Sequence, residues 1–378
     1  MKLARGLIPL IFIFLFCSHA SANIRPSFWL EACSWRATHI VVATEGKKID
    51  GVLRVLESWK GELMVGETIR IPELAAFNPT EARKVHPLWS DTEPGAQQVY
   101  VTGERIVLFL RDAKQMAAEV GEEAREDQAV KSPSVPSRWK TANSMGDEIK
   151  VSMVWIEQGD VYGFVQQINP GPTLLSLLPW SEAKMQQQVM HILETRDALN
   201  SSLTIADPAR RAEALQPFVG DQLFFANQAA FEGLAKCGEA ALPVLRKIMN
   251  DDSLVETQEN AIEAFAQAGG NTVADELTAL VEKELKFWQQ TAPTLQKGWW
   301  NGAGFASIDE VEPLRDRYGK VYRALIALKP MRYRPCEKIV TEFRDYWRSL
   351  SQLDDKSGLD QISEACDSIL KDSVQDKK

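Results

Sequence analysis

The sequence lacks the short motifs by which many enzymes are recognised. It contains no Gly-x-Ser-x-Gly elbow, no His-Glu-x-x-His pair, no Cys-x-x-Cys pair and no Gly-x-x-x-x-Gly-Lys-Ser/Thr loop. Histidine is scarce, and the nearest approach to a metal or acid–base cluster is His86 with Asp91 and Glu93. Catalytic sites can also be assembled from residues that are distant in the sequence, so an enzyme remains an alternative. We therefore predict a non-enzymatic protein with no catalytic residue, no metal and no cofactor.

A basic cluster is also missing, and the formal net charge is −9. Nucleic acid is excluded as an expected partner, because its binding requires a basic face that displaces counterions from phosphates. After residue 22 no stretch approaches the roughly 20 apolar residues of a membrane-spanning helix. The sequence therefore predicts a mature chain without a transmembrane anchor.

The first residues have the pattern of a secretory signal peptide. Lys2 and Arg5 precede an apolar run from Leu7 to Phe16, and Ala20-Ser21-Ala22 supplies the small residues that signal peptidase requires. We predict a signal peptide at 1–22 and export to a periplasm or to the extracellular space.

Residues 23–180 are predicted to form a β-rich domain. Short, β-branched apolar runs separated by turn residues predict strands at 38–43, 52–59, 68–71, 105–110, 151–157 and 161–168. The pattern favours an antiparallel, barrel-like domain. Between these strands, residues 112 to about 150 are rich in Glu, Lys, Ser and Pro, which predicts a mobile acidic insertion.

Residues 181–378 are predicted to be helical, because their apolar residues recur with a period of 3.6. The segment 229–238 (AAFEGLAKCG) is similar to 260–269 (NAIEAFAQAG) at an offset of 31 residues, and an amphipathic helix follows each. Helix pairs repeated in this way stack into a solenoid. Residues 205 to about 290 resemble HEAT repeats, a resemblance that implies a binding scaffold. The predicted fold class is α+β, with a β-barrel-like domain followed by an α-solenoid.

The β-rich domain is also similar to oligosaccharide/oligonucleotide-binding barrels and their netrin-like relatives. Netrin-like inhibitors chelate zinc with an N-terminal cysteine, whereas Cys33 would be the eleventh residue of the processed chain. The resemblance therefore implies a barrel shape without the inhibitory mechanism.

Two cysteines lie on helices that are predicted to pack antiparallel. Because the first helix begins where the second ends, we predict a disulfide between Cys336 and Cys366, with two buried thiols as the alternative. Cys33 and Cys237 lie in different predicted domains, where a bridge would clamp the two together.

Aromatic residues offer the best candidate for a binding site. Trp299, Trp300 and Phe305 lie in a glycine-rich stretch that interrupts the repeats, and exposed aromatics can anchor a protein or stack on sugars. We predict an exported scaffold that binds a protein or a cell-envelope polymer through its helical repeats. The alternatives are a secreted hydrolase that acts on peptide or glycan, with carboxylates assembled from loops, and a carbohydrate-binding module.

Overall fold

The structure is a computed structural model. It describes residues 28–45, 51–76, 83–85, 100–101, 104–115, 138–143, 149–165, 174–251, 254, 257–350 and 360–375. The predicted signal peptide, the acidic run at 119–127 and the His86 loop lie outside the described residues. The chain divides into two compact units, Met1–Leu193 and Glu194–Lys378, and the boundary falls inside a helix.

A ten-stranded sheet dominates the first unit. The strands are β1 (His39–Glu45), β2 (Val52–Lys60), β3 (Thr68–Arg70), β4 (Arg83–Val85), β5 (Tyr100–Val101), β6 (Arg105–Asp112), β7 (Trp139–Thr141), β8 (Met153–Glu157), β9 (Asp160–Val165) and β10 (Leu174–Ser181). Their order in the sheet is β3-β2-β1-β6-β8-β9-β10-β4-β5, with β7 paired to β6. The neighbours are antiparallel except for β4 and β10, which are parallel.

The sheet is not the predicted barrel. Strands β3 and β5 stand at opposite ends of the order, and no pairing among the described strands joins them. Strand β7 also falls within the range predicted as an acidic insertion. Trp139 is buried there, and residues 139–141 pair with β6, so the well-packed part of the unit extends into that range.

One buried apolar cluster lies on one face of the sheet, and Val107 and Phe109 are buried on the other, so central strand β6 is buried on both faces from Ile106 to Leu110. Helix α1 (Leu30–Arg36) packs against β6, and the ring of Phe28 lies 5.4 Å from that of Phe109. Burial on both faces explains why β6 is a continuous apolar run. Gln158 and Gly159 both have positive φ, as the tight hairpin turn between β8 and β9 requires.

Helices make up the second unit, and alternate helices are neighbours. The helices are α2 (Glu182–Leu203, which spans the boundary), α3 (Pro208–Leu215), α4 (Phe224–Lys236), α5 (Leu242–Met249), α6 (Gln258–Gly269), α7 (Ala274–Thr291), α8 (Glu312–Met331), α9 (Glu337–Ser349) and α10 (Asp360–Gln375). Helix α4 packs against α6, α6 against α8, and α8 against α10, while α7 packs against α9.

The internal sequence similarity falls on equivalent parts of α4 and α6. Each helix is followed by a short 3-10 turn that leads into the next helix, α5 or α7. Three matched positions are buried in both helices, and they pair Ala230 with Ala261, Phe231 with Ile262, and Leu234 with Phe265. The two similar segments therefore pack in the same way.

Candidate functional site

The tryptophan predicted to bind a partner, Trp299, is buried. It begins a 3-10 turn, Trp299–Asn301, held between Gly298 and Gly302, which both have positive φ. Only 1% of its surface is exposed, and its ring lies 5.9 Å from that of Trp288. The turn therefore directs this side chain into the core, where no partner can reach it.

Trp299 belongs to an aromatic cluster that joins α7, α8 and α9. Successive ring centroids lie 5.1 to 6.0 Å apart. At these distances and tilts each ring pair contributes roughly 0.5–1.5 kcal/mol beyond the area it buries. The aromatic cluster consists of Phe287, Trp288, Trp299, Trp300, Tyr318, Phe343 and Trp347.

Trp300 and Phe305 are half-buried. The guanidinium of Arg315 lies 5.5 Å from the ring of Trp300, and its Nε donates to the backbone carbonyl of Trp300 at 3.0 Å. Trp300 is therefore the tryptophan of the predicted site that retains an exposed edge, and a flat row of exposed aromatics is not present in the described residues of this stretch.

A groove lies between α6 and α8 in the described part of the chain. Its cavity has a volume of about 420 Å³, and Ile326 on its wall is 40% exposed. The volume lies in the lower part of the roughly 300–1,000 Å³ range of ligand sites. The apolar part of its lining consists of Ala266, Ile326, Ala327, Pro330 and Met331.

The sequence builds this groove with small residues and a proline. Ala266 and Ala327 face it from opposite helices, and their short side chains leave space between the two. Pro330 lies in the last turn of α8 and has no N–H, so it cannot donate to the carbonyl of Ile326. Helix α6 ends beside the same groove, at Gly269, so both helices bring their C-terminal turns to it.

Charged side chains form one end of the groove. The guanidinium of Arg323 lies 3.3 Å from the carboxylate of Glu259 and 3.7 Å from that of Glu263. Gln267 donates to Glu263 at 3.3 Å. Gly319 makes room for Glu259, because a Cβ at residue 319 would overlap its carboxylate. Two carboxylates therefore surround one guanidinium.

The sequence did not point to this groove because its walls come from residues about sixty positions apart. One local signal was available in α8. Ala324, Leu325 and Leu328 form its buried stripe, whereas Ile326 lies off that stripe with Pro330 four residues later. An apolar residue outside the stripe and beside a helix-terminating proline is a reason to expect an exposed apolar wall.

A second exposed apolar feature is the turn between β2 and β3. Met64 is 67% exposed and Val65 70%, and Glu67 holds the turn by accepting from the N–H of Met64 at 2.7 Å. Side chains this exposed at a turn offer a partner less enclosure than a groove does. The groove therefore remains the candidate site.

His39 is a buried residue at the start of β1. Its Nδ1 lies 2.9 Å from Oγ1 of Thr38, and its ring packs edge-on against Trp139 at 5.0 Å. Burial lowers the pKa of His39. Asp112 is buried nearby and accepts from Arg138 at 2.8 Å and from the N–H of Lys114 at 2.9 Å. In the part of the chain described, no group of three or more His, Cys, Asp or Glu residues is placed to hold a metal ion.

The predicted disulfide between Cys336 and Cys366 is not formed. All four described cysteines are free and buried, and burial raises the pKa of Cys336 to about 11 and that of Cys366 to about 12. Arg344, on α9, lies 3.5 Å from Asp367 on α10, so Cys366 is level with the second half of α9. Cys336 lies eight residues before Arg344, which is about 12 Å along the helix axis. A disulfide requires Cα atoms about 4.4–6.8 Å apart.

Comparison with known proteins gave no match to a protein-family model, a curated protein or a solved structure. No described helix is long and apolar enough to cross a membrane.

Proposed function

We propose that this chain is an exported, non-enzymatic interaction protein whose helical unit is a HEAT-like solenoid that binds a protein partner. The groove between α6 and α8 is the binding site. The observation that carries the proposal is this cavity of about 420 Å³, with an apolar wall and a charged end. Grooves of this kind between packed helices accept apolar side chains from a partner.

The order of helix contacts supports the solenoid. Alternate helices α4, α6, α8 and α10 are neighbours, and the buried positions of α4 recur in α6. In helical repeats, successive units bury one another's apolar faces and present a continuous surface to partners. The glycine-rich turn that contains Trp299 contributes to the core of the helical unit, because Trp299 belongs to the aromatic cluster.

Export is part of the proposal because of the signal-peptide pattern at residues 1–22. It places the partner in the cell envelope or outside the cell. Envelope extract is therefore the appropriate source in which to search for the partner.

A pull-down with two matched variants tests the proposal. Ile326 in the groove is 40% exposed and Met190 on α2 is 41% exposed, so Ile326→Asp and Met190→Asp place the same charge at equally accessible apolar positions. All variants are made in a chain that begins at Asn23, and both the wild type and Met190→Asp should retain the partner. The Ile326→Asp variant should lose the partner in the pull-down. Its Kd for the purified partner should rise at least tenfold, which corresponds to about 1.4 kcal/mol of binding free energy.

Equal retention by Ile326→Asp and the wild type would contradict the groove as the binding site. Digestion of the extract with glycosidases separates a glycan polymer from a protein partner. If that digestion removes the bound material, the partner is an envelope polymer and the proposed protein partner is wrong.

A further inference from the structure

We propose that the groove selects a protein segment in which an apolar side chain is followed by lysine or arginine, with the cation paired to Glu263. This inference rests on the proposed function, since it names the chemistry of the partner at the same site. The apolar residue occupies the space between Ala266 and Ala327, and the cation lies at the charged end.

Glu263 is the carboxylate available to a ligand. Arg323 lies 3.3 Å from Glu259 but 3.7 Å from Glu263, and the side chain of Glu263 is 52% exposed, against 34% for Glu259. The single guanidinium therefore compensates Glu259 better than Glu263. A cation from the partner can approach Glu263 from solvent while Arg323 stays paired with Glu259.

The C-terminal turns of α6 and α8 border the other end of the groove, since Gly270 and Pro330 lie seven residues, about 10 Å, beyond Glu263 and Arg323. These turns therefore make the groove electronegative without contacting a cation at Glu263. The C-terminal turn of a helix carries unpaired carbonyls and a partial negative charge. Both α6 and α8 end at the groove, and Pro330 leaves the carbonyl of Ile326 without its usual helical donor. Carboxylate and carbonyl oxygens thus border the cavity, whereas Arg323 is the one cation among the residues that line it.

The shape of the groove fits an amphipathic side chain. A cavity of about 420 Å³ has room for one or two large side chains. The aliphatic stems of lysine and arginine pack on apolar walls while their charged ends reach polar groups. Ile326 and Met331 provide such a wall, and Glu263 lies where the charged end is needed. The net charge of −9 also favours association with a basic partner.

Small probes of equal length test the charge preference. Hexylammonium, hexanol and hexanoate are titrated into the chain that begins at Asn23, and the methyl resonances of Ala266, Ile326, Ala327 and Met331 report binding. Hexylammonium should bind about fivefold more tightly than hexanol, the effect of one charge pair near 4 Å in water, and hexanoate should bind most weakly.

A matched pair of variants assigns the preference to one residue. Glu263→Gln should remove the advantage of hexylammonium and leave the affinity for hexanol unchanged. Glu282→Gln is the control, because Glu282 is an exposed glutamate on α7 that pairs with Lys286. If Glu263→Gln keeps the advantage, or if hexanol binds the wild type as tightly as hexylammonium, the inference is wrong while the proposed function stands.

A random peptide library distinguishes a protein segment from a small amphipathic cation. Selection on the wild-type chain should enrich lysine or arginine next to leucine, isoleucine or methionine, and selection on Glu263→Gln should lose the basic residue. Binding of hexylammonium without enrichment of any peptide overturns the protein segment as occupant. Failure of all three probes to shift the groove methyls contradicts the proposed function as well.

Discussion

The ammonium group of Lys320 lies 2.8 Å from Oε1 of Gln258, and both residues are buried. The same ammonium donates to the carbonyl of Met249 at 3.2 Å, at the C-terminal end of α5. Lys320 therefore joins α8 to α5 and α6. Because α6 and α8 are the walls of the groove, this contact helps to fix their separation.

Replacing this lysine should destabilise the helical unit. Lys320→Met leaves two buried acceptors without their donor, and we expect a loss of about 1–3 kcal/mol in the free energy of unfolding. Lys329→Met, at an exposed position of the same helix, should change it by less than about 0.5 kcal/mol. Urea unfolding followed by circular dichroism measures both. Equal midpoints for the two variants would mean that the buried contact does not stabilise the unit.

The two adjacent tryptophans should behave differently on truncation. Trp299→Ala removes a buried ring from the aromatic cluster and should destabilise the helical unit by about 3–5 kcal/mol. Trp300 is half-buried, so Trp300→Ala should lower stability by roughly 1 kcal/mol. Thermal unfolding compares them. A binding experiment should therefore use the Trp300 variant, since loss of binding by Trp299→Ala would report unfolding.

Asp112 should make the β unit sensitive to acid. Burial acts to raise the pKa of its carboxyl, but hydrogen bonds from Lys114 and Arg138 outweigh burial and lower it below 3.8. A carboxyl with a lowered pKa stabilises the fold above its unfolded pKa, and this stability is lost as the pH falls through the folded value. Asp112→Asn should be less stable by about 1–3 kcal/mol at pH 7 and should lose less stability below pH 4.

Hydrogen exchange of the amides in β1 and β6 measures this effect within the β unit. Asp160→Asn is the control, because Asp160 is exposed. Parallel pH profiles of the wild type and Asp112→Asn between pH 3 and 5 would count against the assignment.

The cysteines should be protected in the native state and reactive after unfolding. Burial raises the pKa of Cys33 and Cys366 to about 12, so their thiolates are scarce at neutral pH. A chain that begins at Asn23 should release no colour with Ellman's reagent when native. In guanidinium, without reductant, its four cysteines should all react. A count of two thiols in guanidinium would indicate a disulfide and contradict the structure.

The strands were predictable where local chemistry determines them. In β3, Ile69 is buried between exposed Thr68 and Arg70, the alternation expected of a strand with one buried face. The turn at Gln158-Gly159 also follows from its residues. Closure of the sheet depends on which distant strands become edges, and alternation within a strand carries no information about that.

The candidate site was less predictable for a related reason. Trp299 and Trp300 are adjacent in a glycine-rich turn, and the residue pattern does not predict which of the two rings packs into the core. The groove depends on the register of α6 against α8, which Lys320 and Gln258 help to set across 62 positions. The prediction of a disulfide between Cys336 and Cys366 is wrong for a related reason. Antiparallel packing of α9 and α10 does not by itself fix which residues lie side by side, and the contact between Arg344 and Asp367 sets that register.

The order of the sheet has a consequence for folding kinetics. Strand β1 pairs with β6 across more than 60 residues, and Lys84 of β4 pairs with Leu174 of β10 across 90, whereas the helices of the second unit pack mainly on the next helix or the next but one. Contacts between distant residues slow folding, because a long loop must close before they form. We expect the second unit to fold faster, although the first is synthesised earlier. If the chain crosses a membrane unfolded, slow folding of its N-terminal half would keep that half unfolded for longer and so leave more time for the crossing.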